Sequence, residues 1–154
     1  MRKFNVKPLS LAALVAFSAL SPLSVSIAAA EQTVDAVQAR QDAFQSIEKL
    51  SKSANSTLRK NNVDWSSLQQ TSQQLSAHGE TLLASFDKGS EGGKAKADVW
   101  KKPEKFERLM LEMNEGYQEL LQASLEQNSS AAKSGLDKAN GTCKACHRSY
   151  RSRW

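Results

Sequence analysis

Beyond residue 30, apolar residues recur with the period of an α-helix in four segments of the chain. The clearest is the third, where the apolar residues from Phe106 to Leu121 lie three or four positions apart. No stretch alternates convincingly as a strand would. The pattern predicts helices at about residues 33–60, 64–86, from 103 to a turn at 128–129, and 130–151.

Polar and glycine-rich stretches separate these predicted helices. Asp64 is a suitable N-cap for the second helix, and Pro103 suits the first turn of the third, where a missing N–H costs nothing. The glycines and mixed charges from Gly89 to Lys102 favour a loop. Four helices with mostly short connections predict an all-α fold, an antiparallel four-helix bundle, in which a cofactor would lie between helices.

The first 30 residues have the pattern of a secretory signal peptide. Arg2, Lys3 and Lys7 precede an apolar run, and the alanines at 28–30 offer small side chains before a cleavage point. Serines and a proline break the apolar run, which is short for a bilayer span, so we predict cleavage rather than a membrane anchor. The expected result is a signal peptide, residues 1–30, and a periplasmic domain, residues 31–154, with no stable membrane insertion after cleavage.

Cleavage would also change the charge of the protein. The full sequence has 21 Lys and Arg against 16 Asp and Glu, a formal net charge of +5. Since three of the basic residues and none of the acidic ones lie in the leader, the exported domain would carry only about +2. This balance gives no support to nucleic-acid binding. The chain that remains after cleavage is long enough for one domain that buries a core around a cofactor.

Near the C-terminus, Cys143, Cys146 and His147 form the pattern Cys-x-x-Cys-His. Two thiols at this spacing can form thioethers with the vinyl groups of haem, and the following histidine can ligate the iron. On a helix the three side chains share one face. The alternatives are a thioredoxin-like dithiol, which lacks a βαβ context, a zinc site, which lacks a second ligand pair, and a strained disulfide that leaves His147 unexplained.

Arg40 lies on the apolar side of the first predicted helix, one turn before Phe44. A charge there needs a partner. One interpretation is a snorkelling side chain with a hydrated guanidinium. The other is a fork-shaped donor for a haem propionate, with Gln41 beside it as a neutral partner.

The haem-attachment pattern and the residues around Arg40 resemble those of cytochrome c′, the class II c-type cytochromes, and the resemblance covers essentially the whole exported length. Attachment late in the chain is itself a point of resemblance, because class I cytochromes c carry the motif near the N-terminus. The matching segments are Arg40-Gln41-Asp42-Ala43-Phe44, Gly89-Ser90-Glu91-Gly92-Gly93 with Val99-Trp100 and Phe106 after it, and Cys143-Lys144-Ala145-Cys146-His147 with Tyr150-Arg151.

The resemblance implies a four-helix bundle with one covalent haem c per chain. It implies that Cys143 and Cys146 hold the haem, that His147 is the axial iron ligand, and that Arg151 lies beside that ligand. It also implies that Arg40 and Gln41 contact a propionate. Lys94 is a loop residue expected to approach the haem.

Members of this family differ in whether the first helix supplies a sixth ligand to the iron. In this sequence the corresponding position is Phe44, which cannot coordinate. Met110 and Met113 lie on the apolar stripe of the third helix and are more simply core residues, and His78 is expected at the boundary of the core. We therefore expect five-coordinate, high-spin iron with a distal face shielded by Phe44.

The expected function is a periplasmic haem protein that transfers single electrons and binds NO and CO at the vacant distal site. The first alternative is a plain electron carrier without a physiological gas ligand, and exposed basic residues at Lys144, Arg148, Arg151 and Arg153 would favour an acidic redox partner. A peroxidase-like enzyme is less favoured, because no distal acid–base pair is evident. Since the family often forms homodimers through its first two helices, a second copy is another expected partner.

Overall fold

A computed structural model describes the backbone of residues 24–153 and the side chains from residue 35 to residue 153. Within this part of the chain the fold is four long helices and one short one. Residues 1–23 of the expected signal peptide lie outside the described residues. The helices are α1 (Ser24–Leu58), α2 (Trp65–Ala84), α3 (Asp98–Lys101), α4 (Pro103–Leu125) and α5 (Ser129–Tyr150).

The four long helices confirm the prediction of an all-α bundle, and their boundaries follow local capping chemistry. The Asp64 carboxylate accepts a hydrogen bond from the backbone N–H of Ser67 at 3.0 Å and so caps α2, as expected. Pro103 begins α4. The single-turn helix α3 was not expected. It forms beyond the last glycine of the connection, with Asp98 in its first turn and Lys101 in its last, which suits the helix dipole.

The turn between α4 and α5 is tightly built. Gln127 adopts a left-handed conformation with φ of 54°, while its N–H donates to the carbonyl of Ser124 and the N–H of Asn128 donates to that of Ala123. This is the Schellman arrangement that satisfies the last carbonyls of a helix. Asn128 then caps α5 by accepting from the N–H of Ala131 at 3.0 Å. The start of α5 is therefore fixed directly against the end of α4.

The packing of the bundle leaves one side open. Helices α1 and α2, α2 and α4, and α4 and α5 are packed together along much of their length, whereas α1 and α5, also neighbours, touch much less. The core residues Leu68, Leu75 and Leu82 of α2 are fully buried. Among the described residues, no helix is long and apolar enough to cross a membrane. The bundle therefore has a closed core on one side and a gap between α1 and α5.

Helices α4 and α5 approach most closely at two glycines. A Cβ atom built on Gly116 would lie 2.6 Å from the backbone nitrogen of Ala139, and one on Gly135 would lie 2.6 Å from that of Leu120. Both glycines are therefore required by the close approach of the two backbones. Gly141, where the sequence suggests close approach by a porphyrin, is exposed, and a Cβ there would meet no protein atom within 4 Å, so that approach stays a prediction.

We predict that Gly135→Ala destabilises the protein by about 1–3 kcal/mol, because the added methyl group must push two backbones apart. The matched control is Gly141→Ala, which adds the same atom in open space and should stabilise α5 by up to ~1 kcal/mol. Chemical unfolding of the two variants measures the difference. Equal free energies of unfolding would contradict the close approach at Gly135.

Candidate haem site

A cavity of about 710 Å³ fills the gap between α1 and α5. Its walls come from α1, α4, α5 and the connection between α2 and α4, and no residue of α2 contributes. Its volume lies in the usual range for cofactor sites. The apolar part of its lining includes Phe44, Ile47, Phe86, Phe106, Met110 and Met113. A second cavity near α3 shares Phe86 as a wall, but neither a cysteine nor a histidine lines it.

The structure brings Cys143, Cys146 and His147 together on the wall that α5 contributes. Both cysteines are half-buried and free, and His147 is exposed toward the gap. The helical spacing places them on the same side of α5, as predicted from the sequence. Two thiols and one imidazole therefore face one cavity with apolar walls.

Burial shifts the pKa of each of these three groups so that its neutral form is favoured further. It raises the pKa of Cys146 to about 11, with the neighbouring Cys143 adding to the effect, and it also raises the pKa of Cys143. Both side chains are therefore neutral thiols near pH 7. Burial, followed by the positive charge of Arg151, lowers the pKa of His147, while Glu48 opposes the shift. His147 is accordingly neutral near pH 7, and neutral imidazole is the form that ligates a metal.

The donor set fits haem better than the alternatives. Two free thiols line a largely apolar cavity, where each could add its S–H across a vinyl group, and a neutral imidazole follows them directly. Among the described residues, no group of three or more histidine, cysteine, aspartate or glutamate side chains could hold a metal ion by itself. The cysteines lie within a helix of an all-α bundle, which is not the setting of a thioredoxin-like dithiol.

Arg40 is only 4% exposed and lies at one end of the cavity. Its Nη1 atom donates to the carbonyl oxygens of Ser85 at 3.0 Å and Ser90 at 2.7 Å, and Nη2 donates to that of Gly92 at 3.3 Å. The guanidinium also lies over the ring of Phe86, 4.6 Å from its centroid. Arg40 therefore holds the segment after α2 against α1.

This arrangement shows a role for Arg40 that the sequence did not reveal. Its guanidinium is not a hydrated, snorkelling group, because three backbone carbonyls accept its N–H groups. Burial lowers its pKa, opposed by the charge of Glu91, yet a guanidinium stays charged at any ordinary pH. Gln41 lies beside it in the cavity lining. The propionate contact expected for both residues stays a prediction.

The remaining predicted site residues also reach the cavity. Phe44 lines it from α1 and contacts Phe86 edge to face, with ring centroids 6.4 Å apart. Arg151 lines it just past the end of α5, and its N–H donates to the carbonyl of His147 at 3.3 Å. Lys94 lines it from the connection. His78, on α2, is half-buried and lies outside the cavity lining, in agreement with its expected place at the core boundary.

The cavity lining also includes polar residues of α1 that the sequence pattern does not single out. Glu48 and Lys52 line the cavity and form an exposed ion pair at 2.6 Å, and Ser51 lies between them in the lining. The Ser51 hydroxyl is 3.4 Å from the hydroxyl of buried Tyr117, whose pKa burial raises to about 12. Glu48, Ser51 and Lys52 follow Phe44 by four, seven and eight residues. This helical spacing places them near the face of Phe44, so the sequence did contain a signal for their position in the cavity.

Fold and site together define a c-type haem protein of the four-helix-bundle class, with haem c bound covalently. The sequence profile of the family described as Cytochrome C' matches residues 35–151. The chain belongs to the cytochrome c′ family.

Individual proteins resemble the chain to different extents. A cytochrome c′ from Rhodospirillum rubrum is 34% identical over 76 residues, which is 47% of this chain and 52% of that protein, so the match spans about half of the relative's length. A ferrous variant of cytochrome c prime from Alcaligenes xylosoxidans with bound NO has a TM-score of 0.71 at 20% identity, covering 79% of this chain and 97% of that one. A cytochrome c′ from Thermochromatium tepidum has a TM-score of 0.68 at 17% identity, covering 78% and 96%. The two structures share the fold.

We predict that Arg40→Met lowers the free energy of unfolding by about 3 kcal/mol or more, because it removes the charged hydrogen bonds that join α1 to three carbonyls of the segment after α2. Arg40→Lys should recover only part of this loss, since one ammonium lacks the fork that reaches separate carbonyls. Arg59→Met, at an exposed position just past α1, is the control. Denaturant unfolding measures all three, and an unchanged value for Arg40→Met would contradict the role of its hydrogen bonds.

Proposed function

We propose that this protein is a periplasmic haem protein with five-coordinate, high-spin iron that transfers single electrons and binds small gas ligands, NO above all. Cys143 and Cys146 would hold the haem through thioethers, and His147 would be its axial ligand. Haem supplies an iron that can gain or lose one electron and take a small diatomic ligand. The protein residues bind and orient the group and control what reaches it.

The observation that carries the proposal is the position of Phe44. Its ring lines the cavity from α1, while His147 lines the same cavity from α5. An aromatic hydrocarbon has no lone pair to offer the iron, so the α1 side would stay free for a small exogenous ligand. Phe86 packs edge to face on Phe44 and helps to keep the ring in place. The bound NO named for the Alcaligenes relative supports gas binding as the role of such a site.

Arg40 and Gln41, which both line the cavity, would contact a haem propionate. Arg40 already donates to three carbonyls, so it would be preorganised for such a contact rather than free to search for it. Gln41 adds a neutral amide that lines the cavity. Arg151 and Lys94 would place further positive charge near the cavity edge, which suits a group with two carboxylates.

Electron transfer is supported by the charge around the end of α5. Lys144, Arg148, Arg151 and Arg153 are all exposed there. This basic surface would attract an acidic redox partner close to the cavity. A plain electron carrier is therefore the second candidate function. A homodimer through α1 and α2 stays a prediction, with Leu83 of α2 at 36% exposure.

The cavity lining gives little support to a peroxidase-like reaction, which needs an acid–base group near the iron. Glu48 is an ionisable group in the cavity lining, but its carboxylate is largely exposed and paired with Lys52. Such a pair is strongly solvated and is a poor distal acid–base group. Binding and electron transfer remain the better supported roles.

Absorption spectra test the coordination of the iron. The oxidised and reduced protein should both be high-spin, and the reduced form should bind CO and NO. Phe44→His places an imidazole on the α1 side and should produce low-spin iron with CO affinity at least about tenfold weaker, because CO must displace the new ligand. Phe44→Leu is the control and should remain high-spin. A low-spin wild-type spectrum with a methionine-to-iron charge-transfer band would refute the proposal.

A deletion strain tests the physiological role. We expect it to be more sensitive to NO than the parent strain, and the full chain should restore tolerance. A chain lacking residues 1–30 should not, because it would miss the periplasm where haem c is attached. Unchanged NO sensitivity with reduced respiratory electron flux would favour the plain electron carrier instead.

A further inference from the structure

Past the end of α5, the chain pairs with the connection between α2 and α4. Ala95 and Arg151 form an isolated antiparallel bridge. The N–H of Lys96 donates to the carbonyl of Tyr150 at 2.8 Å, and the N–H of Ser152 donates to that of Lys94, also at 2.8 Å. We call residues 94–96 the strap. The strap thus fixes the chain directly after the haem-motif helix by backbone hydrogen bonds on both sides of the bridge.

The side chain of Lys96 adds a second set of bonds to the same helix end. Its Nζ atom donates to the carbonyl of Ser149 at 3.2 Å and to that of Arg148 at 3.4 Å. Together with its backbone N–H, Lys96 supplies donors to three consecutive carbonyls in the last turn of α5. Carbonyls at a helix C-terminus lack partners within the helix, and a cation there also complements the helix dipole.

The segment that precedes the strap is held to α1 at the opposite side of the cavity. Arg40 donates to the carbonyl of Gly92, and a Cβ on Gly93 would lie only 3.0 Å from a methyl carbon of Val37. Gly93 has φ of 63°, which a larger residue would adopt only with strain. The strap is therefore anchored at both ends, on α1 through the glycines and on the end of α5 through Lys96.

We propose that Lys96 is a positioning residue for the haem site, holding the last turn of α5 so that His147 and Arg151 keep their places at the cavity. His147 begins this turn and Arg151 follows it, and both line the cavity. The three carbonyls that Lys96 holds belong to the residues between them. Without those bonds the last turn is held only by the pairing of Ser152 with Lys94 beyond it, and a helix end with fewer bonds opens locally at lower cost. This inference rests on the proposed ligation of iron by His147.

Lys96→Met tests the proposal, because it removes the ammonium and keeps the length of the apolar stem. In the haem-loaded protein, amide hydrogen exchange at Arg151 and Ser152 should become roughly fivefold faster or more, as expected for loss of hydrogen bonds at the helix end. The iron–histidine stretching band of the reduced protein should shift or broaden in resonance Raman spectra. Lys96→Arg keeps a donor to the carbonyls and should restore both readouts, and Lys88→Met, at an exposed lysine of the same connection, should change neither.

The outcomes separate this proposal from the one on which it rests. His147→Ala should abolish the iron–histidine band, and a band that survives this change would refute both the ligation and the positioning role. A band lost in His147→Ala but unmoved in Lys96→Met, with exchange accelerated, would refute the positioning role alone. Unchanged exchange in Lys96→Met would show that its hydrogen bonds do not hold the helix end, which also overturns the proposal.

Discussion

A guanidinium keeps its charge when it is buried, so Arg40 must be surrounded by acceptors. The structure meets this demand with backbone carbonyls of the segment that follows α2, at Ser85, Ser90 and Gly92. The segment must therefore turn back over α1 instead of continuing along the bundle axis. Phe86, which lies beneath the guanidinium, is brought to the cavity wall by the same turn. One buried charge thus fixes the part of the cavity wall around Phe86 and the chain that leads into the strap.

The helices could be predicted from the sequence because their signals are local. Three- and four-residue spacing of apolar side chains is set by helix geometry, and the caps at Asp64 and Asn128 act within three residues. The partners of Arg40 could not be predicted, since its acceptors are backbone carbonyls 45 to 52 residues away, and a backbone carbonyl has no sequence signature. The glycines show the same limit. Gly135 and Gly141 are alike in sequence, and only the packing of α4 on α5 distinguishes the required one from the exposed one.

The site shows the same division between local and long-range information. Cys143, Cys146 and His147 are four residues apart at most, so helix geometry alone predicts their shared face. The cavity they face is built by three long helices and a connection, which no spacing encodes. Burial by these other elements raises the pKa of both thiols and lowers that of His147. The sequence therefore identifies the reactive groups, whereas the shifts in their pKa arise from the tertiary structure.

The two ends of α5 are held more firmly than its contact with α1. At its start, the Schellman turn and the glycine contact at Gly116 and Gly135 bind it to α4. At its end, the strap and Lys96 hold the last carbonyls. Residues 143–147 lie between these two fixed points, while the facing wall of α1 touches α5 over a short stretch only. The residues that would hold the haem therefore keep their positions through α4 and the strap, and depend little on the limited contact between α5 and α1.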